Sequence, residues 1–280
     1  MPRHCFRPCT PSSPPSTANS SPGGNPSHLP PLFASREEAA RLLVPSLTQY
    51  QHNQQSVLLA ISRHSLELAC HVSQALALPV YYIPIQRVII SVNMEDTEQH
   101  VDAAVVIGDT VVVKQEIVDG FGIPNAVLQD GIEKTKIELH RKTKKVINAC
   151  SSPVSLLSSV CSLFDSPQRV IKNVIVVADA CILARRLKSL LNYLRPYRNA
   201  SCVHATDVRI VLVGGVMDPE TQKLLKRDAD EVIAVAVRRR YDECLVRDWF
   251  PADPSDDCVD SAPFVEIKHV TEILAVSPVY

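Results

Sequence analysis

Glycine is scarce in this chain, at 8 of 280 residues, under half of the roughly 7% usual in proteins. Two of the eight, Gly23 and Gly24, fall in a Pro/Ser-rich start. Sites that cradle phosphate need glycine where backbone N–H groups must approach the ligand closely. The shortage therefore argues against a ready-made Gly-rich phosphate loop. Gly214-Gly215 follows a strand-like run but lacks the G-x-G-x-x-G spacing of a dinucleotide site. No apolar run reaches the roughly 18 residues that cross a bilayer, so no membrane partner is expected. Neither sign of charge dominates: 29 Lys and Arg face 30 Asp and Glu, net −1. That balance excludes the strongly basic footprint of a nucleic-acid binder and the acidic excess of a solvating tail.

The nine cysteines contain no C-x-x-C pair, and their number is odd. In a chain long enough to build its own core, this pattern points to free thiols in a reducing, cytoplasmic setting. His4, Cys5 and Cys9 lack a fourth metal ligand. The start has no charged region followed by an apolar stretch, so no secretory signal is expected. Arg3 and Arg7, with no acid before Glu37, have the look of an organelle transit peptide, but the prolines oppose its amphipathic helix.

Hydrophobic residues at 46% and charged residues at 21% are ordinary for a globular protein. Residues 1–31 hold nine of the 21 prolines, with Ser and Asn between them. Such a segment buries too little apolar surface to offset its ordering entropy and is expected to be disordered. Residues 32–280 form the expected domain. A chain starting at Leu32 should then keep the full chain's calorimetric midpoint. A drop of more than about 4 °C, on the order of 1 kcal/mol, would show that the tail supports the fold.

Order begins near Phe33. Ser35-Arg36-Glu37-Glu38 reads as a capping box opening a helix that Pro45 should end or kink. Residues 56–61 read as a buried strand, 65–77 as a helix and 80–85 as a second strand, a β-α-β order that predicts parallel pairing. Residues 103–107 and 110–113 alternate around Gly108-Asp109 like a hairpin. Helices follow over 115–121 and 125–145. The second ends in the basic run 141–145, read as a solvated, dipole-complementing end. Residues 150–169 are Ser-rich and loop-like. The alternation then resumes: strand 174–178, helix 182–195, strand 208–213, helix 219–226 and strand 231–237. This is a doubly wound α/β domain with a mainly parallel sheet, helices on both faces and strands 57–61 and 174–177 near its centre.

In such sheets ligands sit at the carboxyl ends of the strands. Residues 57–80, VLLAISRHSLELACHVSQALALPV, resemble the pyrophosphate-loop strand and helix of bacterial-type phosphoribosyltransferases. Ser62, Arg63, His64 and Ser65 stand where that family often has Pro-Arg-Gly-Gly. Gln86-Arg87 stand at the family's Arg-Lys pair. Residues 107–142 resemble its hood, with Lys114-Gln115-Glu116 in place of an Asn-Glu-like pair. Residues 218–235, DPETQKLLKRDADEVIAV, resemble the strand-helix-strand before the family's C-terminus, and Trp249-Phe250 the aromatic pair after it.

The resemblance implies a type I phosphoribosyltransferase fold and a site for phosphoribosyl pyrophosphate with Mg²⁺. It also implies where that site has decayed. The family's two acids and Gly-x-Ala-Thr-Gly loop fall on Ala178, Asp179 and then Ala180, Cys181, Ile182, Leu183 and Ala184. One acid remains, and both glycines and the threonine are gone. Ile182 and Leu183 put apolar bulk where a phosphate should rest, while Arg185 and Arg186 add cations at a helix start that favours anions. By resemblance, Arg63, Arg87 and Asp179 are the catalytic candidates. Asp179, Cys181, Leu183, Ala184, Arg185 and Arg186 are the phosphate-site candidates. Cys181 has no His or Asp fixed near it by spacing to activate a nucleophile. Asp253, Asp256, Asp257 and Asp260 read as a solvated acidic loop or a cation site.

Three functions stay open at this point. One is an impaired phosphoribosyltransferase relative with a binding or regulatory role. One is a working Mg²⁺-dependent transferase acting on a base-like acceptor. The third is a structural protein without ligand. Phosphoribosyl pyrophosphate or another phosphate-containing small molecule, and a homodimer, are the partners these readings name.

Overall fold

Strands and helices alternate as the apolar runs require. In the computed structural model, residues 33–94, 97–149, 153–164, 170–181, 184–198, 208–217 and 219–237 are described. The chain divides into two units, Met1–Pro30 and Pro31–Tyr280; everything described lies in the second. In chain order the elements are α1 (Arg36–Leu43), β1 (Ser56–Ala60), α2 (Arg63–Leu76), β2 (Val80–Tyr82), β3 (Ile85–Met94), β4 (Thr97–Ile107), β5 (Thr110–Val113), α3 (Gln115–Gly120) and α4 (Asn125–Ala149). Then come β6 (Val154–Leu156), β7 (Asn173–Cys181), α5 (Ala184–Arg198), β8 (Arg209–Met217), α6 (Pro219–Leu225) and β9 (Glu231–Val237).

Six strands form one sheet in the order β6-β2-β1-β7-β8-β9, and every neighbouring pair is parallel. The two central strands are the expected ones. All five residues of β1 are buried, as a parallel sheet covered on both faces demands. Alternate residues feed two cores. Val57, Leu59, Val174, Val176, Ile210 and Leu212 pack with Leu187, Leu190, Leu191 and Leu194 of α5. Leu58, Ala60, Ile175, Val177, Val211 and Val213 pack with the apolar residues of α1 and α2. The α5 leucines recur at i, i+3, i+4 and i+7, one helical stripe, and each contributes about 1.5–3 kcal/mol by burial.

The segment between β2 and β6 makes a second, antiparallel sheet, β3-β4-β5. One face packs on α3 and α4 through Val88, Ile90, Ala104, Val106, Leu128 and Ile132. Ile85, Val105 and Ile107 on the other face join the α5 side of the main core.

Several boundaries differ from expectation. Strand 80–85 is two strands. β2 stops at Tyr82, and the chain turns through Ile83-Pro84 into β3. Residues 150–169 are not all loop: Val154–Leu156 pairs with β2, and Val160–Leu163 forms a 3-10 turn. Helix α5 begins at Ala184 rather than 182, and β7 runs on to Cys181. Pro45 acts as expected: the α-helix ends at Leu43 and passes into a 3-10 turn, Val44–Tyr50. The Ser35 hydroxyl accepts from the Glu38 amide, but Glu38 reaches back to the Ala34 amide, one residue further than a capping box requires. In the basic run, Arg141 and Lys142 both reach Glu138, whose carboxyl the Arg141 hydrogen bond holds below its ordinary range. At the amino end of the sheet the Tyr50 hydroxyl donates to Glu231 (3.2 Å), which also accepts from Arg209 (2.9 Å). Burial holds the Tyr50 phenol above its ordinary range.

Candidate functional site

The order of the sheet reverses between β1 and β7. From β1 the chain steps outward to β2 and β6; from β7 it steps the other way to β8 and β9. A crevice opens at such a switch point, outside the carboxyl ends of the two strands. Ala60 pairs with Val177 there, so the start of α2 and the end of β7 border the switch point. Behind it, Ala178, Gly214 and Ala234 lie in one row across β7, β8 and β9. Gly214-Gly215 are buried inside β8, not in a strand-to-helix turn, so they cradle nothing.

The β1–α2 loop is closed upon itself. The Ser65 hydroxyl accepts from the amides of Ile61 (2.9 Å) and Ser62 (2.8 Å) and donates to the Ser62 carbonyl (3.0 Å). That uses the full capacity of a hydroxyl, two acceptor sites and one donor. The Ser62 hydroxyl in turn accepts from the Ser65 amide (3.1 Å). Three amides at the start of α2 are therefore committed to side chains of the loop itself, where a ligand anion would otherwise take them. Ser65 is fully buried. Ser65→Ala is expected to cost about 2 kcal/mol, because two donors lose their acceptor. Urea denaturation checks this; a loss below about 0.5 kcal/mol would mean that solvent replaces the hydroxyl.

The end of β7 also differs from expectation. Ala180 and Cys181, expected in a phosphate loop, pair with Val216 and Met217 as the last residues of β7. Only residues 182 and 183 separate that strand from α5. The peptide groups of 180 and 181 thus belong to a ladder rather than to a turn around an anion.

Arg63 is exposed in the first turn of α2, beside the switch point. Asp179 is placed by its backbone on β7, between the pairs Ala178–Gly214 and Ala180–Val216. Cys181 closes β7, and Ala184, Arg185 and Arg186 open α5. Leu183, Trp249-Phe250 and the acidic cluster at 253–260 lie outside the described residues. Arg87 is half-buried on β3, opposite Val105.

Arg87 stands on the face of the second sheet that meets the main core. Strand alternation places Ile85, Arg87 and Ile89 on that face. Across from them are Ile107, Val105 and Asp102, where the register shifts at a bulge between Val88 and Ile89. The row passes from buried Ile85 and Ile107 to half-exposed Ile89. Asp102 was not singled out in the sequence. Its side chain is 10% exposed, and the Lys114 ammonium lies 2.7 Å from one carboxylate oxygen, without the alignment of a hydrogen bond. The ion pair carries the charge balance of this buried carboxylate.

A hydroxyl node joins the β3-β4-β5 sheet to α5, the helix after the switch point. The Tyr193 hydroxyl on α5 lies 3.2 Å from Thr110, 3.3 Å from Ser159 and 3.7 Å from the Cys161 sulfur. Among the described residues no group of three or more His, Cys, Asp or Glu could hold a metal ion, and no helix is long and apolar enough to cross a membrane.

No protein-family model matches the chain, and no curated protein does. Solved structures do. The fold resembles that of TT1426 from Thermus thermophilus with a TM-score of 0.53 at 18% identity, over 78% of this chain and 89% of that one. A hypothetical protein from Neisseria gonorrhoeae with bound ppGpp scores 0.41 at 11% identity, over 82% and 93% of the two chains. A purine phosphoribosyltransferase from Pyrococcus horikoshii Ot3 scores 0.32 at 13% identity, over 75% and 93%. The Thermus likeness is one of fold, a parallel α/β sheet with helices on both faces.

Proposed function

We propose that this protein is a divergent, catalytically impaired relative of the phosphoribosyltransferases, with a binding or regulatory role. Its ligand is a small phosphate-containing molecule held weakly at the switch-point crevice. The observation that carries this reading is the closed Ser62–Ser65 loop, which occupies three amides at the place where the family resemblance expects a pyrophosphate. The strand pairing of Ala180 and Cys181 supports it. Arg63 and Arg87 supply the cations of such a site, and Asp179 its one acid.

On this reading Mg²⁺ would arrive with the ligand's pyrophosphate. When bound it would supply charge neutralisation. The chain's own residues would only bind and orient, and differential stabilisation of a transition state is what they lack.

The test is calorimetric titration with phosphoribosyl pyrophosphate and Mg²⁺, with transfer to common bases assayed in parallel. No turnover is expected, and binding weaker than about 0.1 mM, a free energy of about −5.5 kcal/mol at most. Micromolar binding with turnover would replace this reading with that of a working transferase.

A further inference from the structure

The β3-β4-β5 sheet meets α5 through two kinds of contact. One is apolar: Ile85, Val105 and Ile107 share a core cluster with Leu187, Leu190, Leu191 and Leu194. Burial of that kind holds the sheet down, but it is non-directional and does not fix where along the helix the sheet sits. The other is the Tyr193 node, and hydrogen bonds have a preferred geometry.

The ring of Tyr193 packs against the same core cluster, and its hydroxyl emerges where three segments converge. Thr110 opens β5, and Ser159 and Cys161 begin the 3-10 turn after β6. A hydroxyl has one proton to donate and lone pairs to accept with. Thr110 at 3.2 Å, Ser159 at 3.3 Å and Cys161 at 3.7 Å surround this one. Ser159 is itself held by backbone, since its hydroxyl accepts from the Cys161 amide at 3.3 Å. The residues next to Thr110 and Ser159 also join, the Asp109 amide donating to the Ser158 carbonyl at 2.7 Å. The β4–β5 turn is thus bound to the 3-10 turn directly, and to α5 through one phenol.

That helix starts at the switch point. Residues 182 and 183 alone separate it from β7, and Tyr193 lies about nine residues, roughly 13 Å, along it from Ala184. On the antiparallel sheet, Arg87 follows Ile85 on the face that meets the α5 core. The node therefore links the sheet that carries Arg87 to the helix that begins at the crevice.

We propose that Tyr193 is a positioning residue for the switch-point site. Its hydroxyl seats the β3-β4-β5 sheet on α5 and so sets Arg87 against the crevice. This rests on the reading of that crevice as an anion site. Tyr193 acts on the ligand only through the sheet.

Thr110 allows a test that leaves the aromatic ring in place. Thr110→Val removes its hydroxyl and keeps its shape, Thr110→Ser keeps the hydroxyl, and Tyr193→Phe removes the other partner. The full chain is followed by amide hydrogen exchange and by calorimetric titration with phosphoribosyl pyrophosphate and Mg²⁺. Tyr193→Phe and Thr110→Val should each speed exchange of the Asp109 amide at least about fivefold and weaken binding at least about threefold. The two together should lose no more than either alone, the mark of a shared interaction. Thr110→Ser should stay with the unaltered chain, and exchange at Ile61 and Ser62, whose amides are held by Ser65, should not change. Three results would each overturn the proposal. Unchanged Asp109 exchange in both variants would show that the node does not seat the sheet. Faster exchange with unchanged affinity would show that the seat does not reach the site. Equal losses in Thr110→Ser and Thr110→Val would assign the effect to shape and not to the hydroxyl. An unaltered chain that takes up no ligand would instead defeat the anion-site reading, and Asp109 exchange then decides the seating by itself.

Discussion

Gly108→Ala is expected to lower the stability of the chain by about 3 kcal/mol, and its thermal midpoint by about 6–12 °C at this size. Gly108 sits at φ +57 in the turn between β4 and β5, a region that costs an L-residue about 1–2 kcal/mol. A Cβ built there would also lie 2.2 Å from the Ser158 carbonyl oxygen, which is backbone and cannot rotate away. That carbonyl accepts from the Asp109 amide at 2.7 Å, and the Gly108 amide donates to Pro84 at 2.9 Å. The turn is therefore clamped between the ends of β2 and β6. Moving Ser158 to make room adds the loss of about one hydrogen bond, on the order of 1 kcal/mol. Gly122 is the internal control. Its φ is +58, yet nothing lies within 4 Å of its Cβ position. Gly122→Ala should show the conformational cost alone, about 1 kcal/mol. Chemical denaturation of both variants decides the matter. Equal losses would mean that the contact with Ser158 relaxes freely.

The centre of the sheet was legible because it is apolar on both faces. Val57–Ala60 and Val174–Val177 alternate between two cores, so each run is continuous and unmistakable. The α5 leucines and the Ala-Leu-Val stripe of α2 were legible for the complementary reason, a helical period against those strands. The strand Val154–Leu156 was not. It has three residues, one of them Ser, and its strand character comes from pairing with β2 rather than from its own composition. The long β3–β4 ribbon was hidden in the same way. Beyond the bulge it carries Ser91, Asn93, Glu98 and His100, polar residues of a hairpin exposed on one side.

At the site, the resemblance itself hid two features. Aligning 180–184 with a phosphate loop obscured the continuation of β7 through Ala180 and Cys181, whose small side chains declare neither strand nor turn. Reading Ser62 to Ser65 as a lost Pro-Arg-Gly-Gly stretch drew attention to what was missing. The signal present was the Ser-x-x-Ser spacing of a helix cap, which the structure turns into a sealed loop. The pair Asp102–Lys114 had no sequence signal, because it depends on the register of β4 against β5 and the bulge beside it.

On the proposed reading, opening the loop between β7 and α5 should strengthen anion binding. The variant Ala180→Gly, Leu183→Thr, Ala184→Gly is expected to bind phosphoribosyl pyrophosphate with Mg²⁺ at least about tenfold more tightly than the unaltered chain, a gain of about 1.4 kcal/mol. Glycine at 180 would weaken the end of the strand that ties this residue to Val216 and glycine at 184 would widen the backbone conformations open to the loop, and the threonine would return a hydroxyl donor in place of an apolar side chain. Ala178→Asp completes the family's acid pair, but its burial calls for testing it separately. Ala178 is 3% exposed and belongs to the core cluster of Val176 and Leu187. A carboxylate there without partners would cost several kcal/mol, so that variant should lose stability before it gains affinity. Ser65→Gly is the matching change at the other loop, since it releases the amides of Ile61 and Ser62. Turnover is expected to stay undetectable in all of these chains. A shortfall of about 4 kcal/mol in transition-state stabilisation lowers a rate roughly a thousandfold, and one restored loop does not supply it. Titration calorimetry with each variant, alongside its thermal midpoint, separates affinity from folding. If the unaltered chain binds at micromolar affinity and Asp179→Ala abolishes that binding, the site is already competent. The short β7–α5 loop is then an unusual working loop and not a decayed one.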